Sequence, residues 1–189
     1  TLARLAASPG AARLNALLAL VTGFEAIILG AALFALTRDV DRDLAVIAFA
    51  CRLGEGVVNS ISAAGSLALL GVAAAAAAAT GASAEAHVAV GAYLLRDSIV
   101  VSASLFAVGS AVFSWLFLRV RDVPRRLAQL GVAASVLLVV VLPAQMLGLV
   151  RGMAANLIWL PMLVFEVVFA GWLIVRGVGE RAVPVREGA

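Results

Sequence analysis

Five runs of apolar residues dominate this chain of 189 residues, and each is long enough to cross a lipid bilayer. A membrane-spanning helix needs about 20 predominantly apolar residues. The predicted spans cover about residues 14–37, 44–79, 88–118, 127–150 and 157–175. Helices suit these runs because unpaired backbone groups in lipid cost several kcal/mol each. The sequence therefore predicts an all-α transmembrane helical bundle of five spans that forms a single domain over residues 1–189.

Two of the predicted spans are longer than a bilayer requires. Residues 44–79 form a run of about 36 residues, which extends about 54 Å as an α-helix, whereas the hydrocarbon core is about 30 Å thick. We expect this helix to tilt, to project beyond the membrane or to break. In the third run Arg96 and Asp97 interrupt the apolar sequence and are expected to mark the outer water boundary, or else the mouth of a cavity. Residues 85–95 are interpreted as an interfacial segment and 98–118 as the span.

The arginines are distributed unevenly between the two ends of the predicted spans. One end carries Arg38, Arg42, Arg119, Arg121, Arg125, Arg126, Arg176, Arg181 and Arg186, and the other carries Arg4, Arg13 and Arg151. Because arginine-rich loops stay in the cytoplasm, the carboxyl terminus is predicted to be cytoplasmic. The cluster of Arg119, Arg121, Arg125 and Arg126 is expected to contact anionic lipids. The alternative for that cluster is a docking site for a partner protein.

Residue types that are missing exclude several classes of protein. All 14 basic residues are arginine, so a Schiff-base lysine and a P-loop lysine are excluded. His87 is the one histidine and Cys51 the one cysteine, which excludes bis-histidine haem, a multi-histidine metal site and a disulfide scaffold. The net charge of +3 and the scattered basic residues argue against nucleic-acid binding. We therefore expect no metal, no cofactor and no enzymatic activity, although a carboxylate-based mechanism stays open.

Four ionisable side chains fall inside the predicted spans, where each costs roughly 2.5–3.5 kcal/mol. Glu25 lies near the middle of the first span and Glu166 near the middle of the last. Arg52 and Glu55 share one face of the second span, and Asn59 continues that face. We expect this polar stripe to face the bundle interior, with Glu25 or Glu166 approaching Arg52. Since three carboxylates accompany one guanidinium, at least one carboxyl group is expected to be protonated.

Two interpretations of this intramembrane polar cluster remain open. The groups either lock helix packing through hydrogen bonds worth about 0.6–2 kcal/mol each, or they form a substrate, ion or proton site. We favour the first, and with it a structural or accessory subunit that packs with itself or with a larger membrane complex and contacts membrane lipids. The alternative is a small transporter or ion- or proton-coupled carrier that uses the carboxylates and Arg52. A cavity reaching these residues would favour the carrier.

Three stretches of the sequence resemble one family of small multi-pass bacterial membrane proteins. They are Cys51-Arg52-Leu53-Gly54-Glu55, the turn around Pro124-Arg125-Arg126-Leu127, and Phe165-Glu166-Val-Val-Phe-Ala-Gly-Trp-Leu-Ile-Val-Arg-Gly177. That family is known as domain of unknown function 4386. The resemblance implies a location in the bacterial inner membrane and supplies architecture but no chemistry.

The same family usually carries one more span before the region matched by residues 14–37. The orientation predicted from the arginines places the first residue outside the cell without a leader. Both observations lead us to expect six spans in the full protein, the first of them missing from this chain. The alternative is that residues 1–15 form a short interfacial helix.

Overall fold

A computed structural model of the chain describes residues 8–94, 99–120 and 123–176, and the regular structure in these ranges is entirely α-helical. The helices are α1 (Pro9–Thr37), α2 (Arg42–Ala78), α3 (Ala82–Leu94), α4 (Ile99–Phe117), α5 (Arg125–Met146), α6 (Met153–Leu157) and α7 (Leu160–Arg176). Five segments are long and apolar enough to cross a membrane: α1, α2, residues 100–117 of α4, α5, and the stretch Met153–Arg176 that holds α6 and α7. The prediction of an all-α transmembrane bundle is confirmed.

The two overlong runs form long helical segments in the structure. Helix α2 continues without a break for 37 residues, and its first turn is capped by Asp41, whose Oδ1 accepts a hydrogen bond from the Leu44 backbone N–H at 3.1 Å. The described parts of the third run lie in α3, which packs against α2, and in α4. The expected boundary residues Arg96 and Asp97 lie outside the described residues.

Glycines bring α1 and α2 into close backbone contact. A Cβ atom added to Gly23 would lie 2.8 Å from the carbonyl oxygen of Gly56, and one added to Gly56 would lie 2.6 Å from that of Gly23. Because lipid tails supply no hydrophobic drive for association, helices in membranes gain attraction mainly by such close approach of small residues. The same device joins α2 to α4, where a Cβ on Gly109 would lie 3.1 Å from the carbonyl oxygen of Ala48.

The outer faces of the bundle are apolar. Side chains such as Ile28 on α1, Val140 on α5 and Ile174 on α7 are 65% to 85% exposed. Monomeric soluble proteins rarely expose apolar surface on this scale, whereas lipid accommodates it. The chain is therefore an integral, multi-pass membrane protein.

The order of packing leaves a cleft in the bundle. Neighbouring helices pack as α1 on α2, α2 on α4, α4 on α5 and α5 on α7. Helices α1 and α7 stand on either side of α2 and α4, and residues of all four line the space between them. An aromatic cluster lines one end, where the ring centroids of Phe117 and Phe169 lie 4.9 Å apart and those of Phe165 and Phe169 lie 5.5 Å apart.

Candidate functional site

Arg52 lies on the floor of the cleft and is only 5% exposed. Its stem is held between two glycines of neighbouring helices: a Cβ on Gly30 of α1 would lie 2.7 Å from the Arg52 Cβ, and one on Gly109 of α4 would lie 3.5 Å from the Arg52 Cγ. The guanidinium carbon Cζ lies 5.0 Å from the centroid of the Phe106 ring. This distance is suitable for a cation–π contact, which is strongest where water is excluded.

Glu55 forms a buried ion pair with Arg52, one turn away on the same helix. The Arg52 Nη1 and Glu55 Oε2 atoms are 2.8 Å apart. Among the described residues, Arg52 Nε has no hydrogen-bond partner. The pair therefore offsets charge at the floor of the cleft, while the N–H group at Arg52 Nε finds no acceptor in the described part of the chain, which is uncommon for a buried polar group.

Glu25 and Glu166 occupy the two walls of the cleft, on α1 and α7. Both residues are exposed, and both line the same two cavities as Arg52. Within the described ranges, neither comes within the 4.0 Å limit of an ion pair with Arg52. The cleft between α1 and α7 keeps the two carboxyl groups on opposite walls. We expected one of them to approach Arg52; both share a cavity with Arg52, but neither forms an ion pair with it.

The cleft has two halves that meet at Glu25, Arg52 and Glu166. The polar half is a cavity of about 520 Å³ toward the first turns of α1 and α4. Its polar lining comprises Asn15, Thr22, Glu25, Arg52, Glu55, Asn59, Ser62, Ser66, Ser102, Trp159 and Glu166. The apolar half is a cavity of about 180 Å³ toward the last turns of the same helices. Its apolar lining comprises Leu29, Leu33, Phe113, Phe117, Phe165, Phe169, Ala170 and Leu173.

A comparison with known protein families shows which family the chain belongs to. The sequence profile of a family described as domain of unknown function (DUF4386) matches residues 1–177. The chain belongs to the DUF4386 family. No curated protein and no solved structure is significantly similar to it. Since the family's description names no activity, the function of this DUF4386 protein has to be argued from the cleft itself.

Several lining residues of this DUF4386 protein escaped sequence reasoning. Ser62 and Ser66 continue the face of α2 that carries Glu55 and Asn59, at helical spacings of three and four residues. That spacing alone could have placed both serines on the polar face of α2. Trp159 lines the polar half as well, but a single tryptophan near a helix start also suits an interfacial anchor and gives no distinct signal.

Three lining serines lie on α4 at intervals of four or eight residues, namely Ser102, Ser110 and Ser114. Serines in membrane helices often bond the carbonyl of the preceding turn, as Ser104 does to Val100 at 2.7 Å. Small hydroxyls therefore do not distinguish a cavity wall from an ordinary helix face. The spacing alone could have grouped them on one face of α4.

The basic cluster at the turn between α4 and α5 lies apart from the cleft. Arg119, Arg125 and Arg126 are exposed and line neither half, while Arg121 lies outside the described residues. The Arg119 Cζ is 5.9 Å from the ring centroid of Trp115. Amphipathic pairs of this kind suit the headgroup region of a bilayer.

The described part of the chain holds no group of three or more histidine, cysteine, aspartate or glutamate side chains that could bind a metal ion. The chemistry available in the cleft is that of its carboxylates and its guanidinium. Glu25 and Glu166 can exchange protons, or pair with a cation that enters from water or lipid. Arg52 is already occupied on one side by Glu55.

Proposed function

We propose that this DUF4386 protein binds a small solute in the cleft and carries it across the membrane. The observation that supports this proposal is the polar cavity of about 520 Å³ bordered by Glu25, Arg52, Glu55 and Glu166. Small-molecule sites are typically about 300–1,000 Å³ and place a few polar groups among apolar walls. If these charged groups served helix packing alone, we would expect all of them to form ion pairs with one another, since each unpaired charge in the membrane costs free energy.

The arrangement of the two halves also fits a carrier. The charged residues lie where the halves meet, so a solute bound there could be reached from either end of the cleft. We place the polar half toward the outside and the apolar half toward the cytoplasm of a bacterial inner membrane, because Arg38, Arg119 and Arg176 lie at the apolar end. In this orientation the carboxyl terminus is cytoplasmic.

An accessory subunit that packs with itself or with other membrane subunits is the competing proposal. It is favoured by the second half of α2, where a Cβ on Gly65 or on Gly71 would meet nothing within 4 Å. Small residues on an open face let a second helix approach closely. The exposed apolar faces would contact membrane lipids in either role, and neither role includes an enzymatic reaction.

Cysteine labelling distinguishes the carrier from the accessory subunit. In a Cys51→Ala background, Asn59→Cys places a thiol in the polar half and Ser110→Cys places one in the apolar half. The control is Val140→Cys, on a face of α5 that is 65% exposed to lipid. We expect a charged, membrane-impermeant thiol reagent to modify Asn59→Cys from the outer side and Ser110→Cys from the inner side. The control should stay unmodified, because lipid does not dissolve the reagent.

Each other outcome has a definite meaning. Reaction of both cleft cysteines from one side only would overturn carriage across the membrane and leave a binding pocket. If neither cysteine reacts, the cleft is closed to water, and the accessory role is the one that remains. Thiol reaction in detergent-solubilised, denatured protein establishes that every variant carries a competent cysteine.

A further inference from the structure

We propose that the solute is an amphipathic organic cation, with its positive group between Glu25 and Glu166 and its apolar body in the aromatic half of the cleft. This inference rests on the proposed function and names the class of ligand. It is carried by the charge of the cleft and by the lining of the apolar half.

The charges of the cleft favour a cation. Among the residues that the structure describes, the titratable side chains lining it are Glu25, Arg52, Glu55 and Glu166. Helix α4, which forms part of the floor, contributes no titratable side chain to the lining. Arg52 and Glu55 offset each other at 2.8 Å, and the two carboxyl groups on the walls form no ion pair within the described residues, so the lining carries more carboxyl groups than basic groups. A cation there gains attraction strengthened by the low dielectric of the membrane interior.

The lining of the apolar half indicates that the cation has an apolar body attached to its positive group. It begins at the same carboxylates and is walled by the rings of Phe113, Phe117, Phe165 and Phe169. Aromatic rings bury large apolar area and also attract cations to their faces. An inorganic cation or a small hydrophilic amine would leave these walls unused, whereas an aromatic or aliphatic body attached to the charge would cover them. The lining therefore favours a lipophilic cation over a metal ion.

A pair of probes with the same shape and opposite charge tests the inference. The protein is reconstituted in lipid nanodiscs, and binding of radiolabelled tetraphenylphosphonium is compared with binding of tetraphenylborate. We expect saturable binding of the cation and none of the anion. Glu25→Gln and Glu166→Gln should each weaken cation binding at least about tenfold, since each removes one partner of a poorly hydrated charge pair. Glu85→Gln, an exposed glutamate on α3 outside the cleft, should leave the affinity unchanged.

A conservative variant distinguishes the effect of losing the carboxylate charge from the effect of misfolding. Glu166→Asp keeps the charge and should restore most of the binding that Glu166→Gln loses. Elution of each variant as a single species on size exclusion shows whether it folds. Equal binding of both probes, no saturable binding, or wild-type affinity in both glutamine variants would overturn the inference. If Asn59→Cys and Ser110→Cys still react from opposite sides, the carrier proposal survives such a result, and only the ligand class is wrong.

Discussion

At the scale of single residues, neighbouring side chains rather than water offset the free-energy cost of burying the charge of Arg52. Gly30 and Gly109 make room for its stem, Phe106 lies at cation–π distance, and Glu55 offsets its charge. Removing one partner of a buried ion pair leaves an uncompensated charge and typically costs about 3–5 kcal/mol, while replacing both partners by apolar residues is often neutral. Arg52 and Glu55 should therefore behave as one unit in mutagenesis.

This coupling gives a stability prediction. Arg52→Met alone should lower the melting temperature sharply, because Glu55 is left buried and unpaired. Adding Glu55→Leu should recover most of the loss, since no uncompensated charge remains. Thermal unfolding of the purified protein in one detergent measures both variants. Additive losses in the double variant would show that the two side chains are not energetically coupled.

At the scale of helices, the contact of α1 with α2 determines the position of one wall of the cleft. A Cβ on Gly56 would lie 2.6 Å from the backbone oxygen of Gly23, and a backbone atom cannot move aside as a flexible side chain can. Gly56→Ala should therefore force the helices apart and destabilise the protein by about 1–3 kcal/mol, the usual cost of overpacking.

Gly65 offers the matched control on the same helix, because a Cβ there meets nothing within 4 Å. Gly65→Ala should cause no loss of stability, as alanine is the better helix former. Chemical or thermal unfolding of the two variants side by side measures the difference. Equal melting temperatures would mean that the close approach of α1 and α2 contributes nothing to stability.

The helices show which features a sequence can predict. Apolar runs mark the spans because lipid demands them, and spacings of three and four place Arg52, Glu55 and Asn59 on one face, which lines the cleft. The placement of α1 and α7 across a cleft could not be predicted, because helix order in a bundle depends on which small residues from distant parts of the chain meet. For the same reason the sequence could not give the distance of Glu25 and Glu166 from Arg52.

At the scale of the whole molecule, the cleft should link cation binding to protons. Glu25 on α1 and Glu166 on α7 face Arg52 and Glu55 of α2 across the space, and α4 adds only uncharged residues to the lining. A proton and an organic cation compete for the same carboxylates, so lowering the pH should weaken tetraphenylphosphonium binding, while the charge of this probe does not change with pH. Equilibrium binding in nanodiscs across a pH series measures the dependence, and the double variant Glu25→Gln/Glu166→Gln should show weak binding with a smaller dependence on pH. A wild-type affinity that is flat with pH would mean that protons do not compete at this site, and cation binding would then not be proton-coupled.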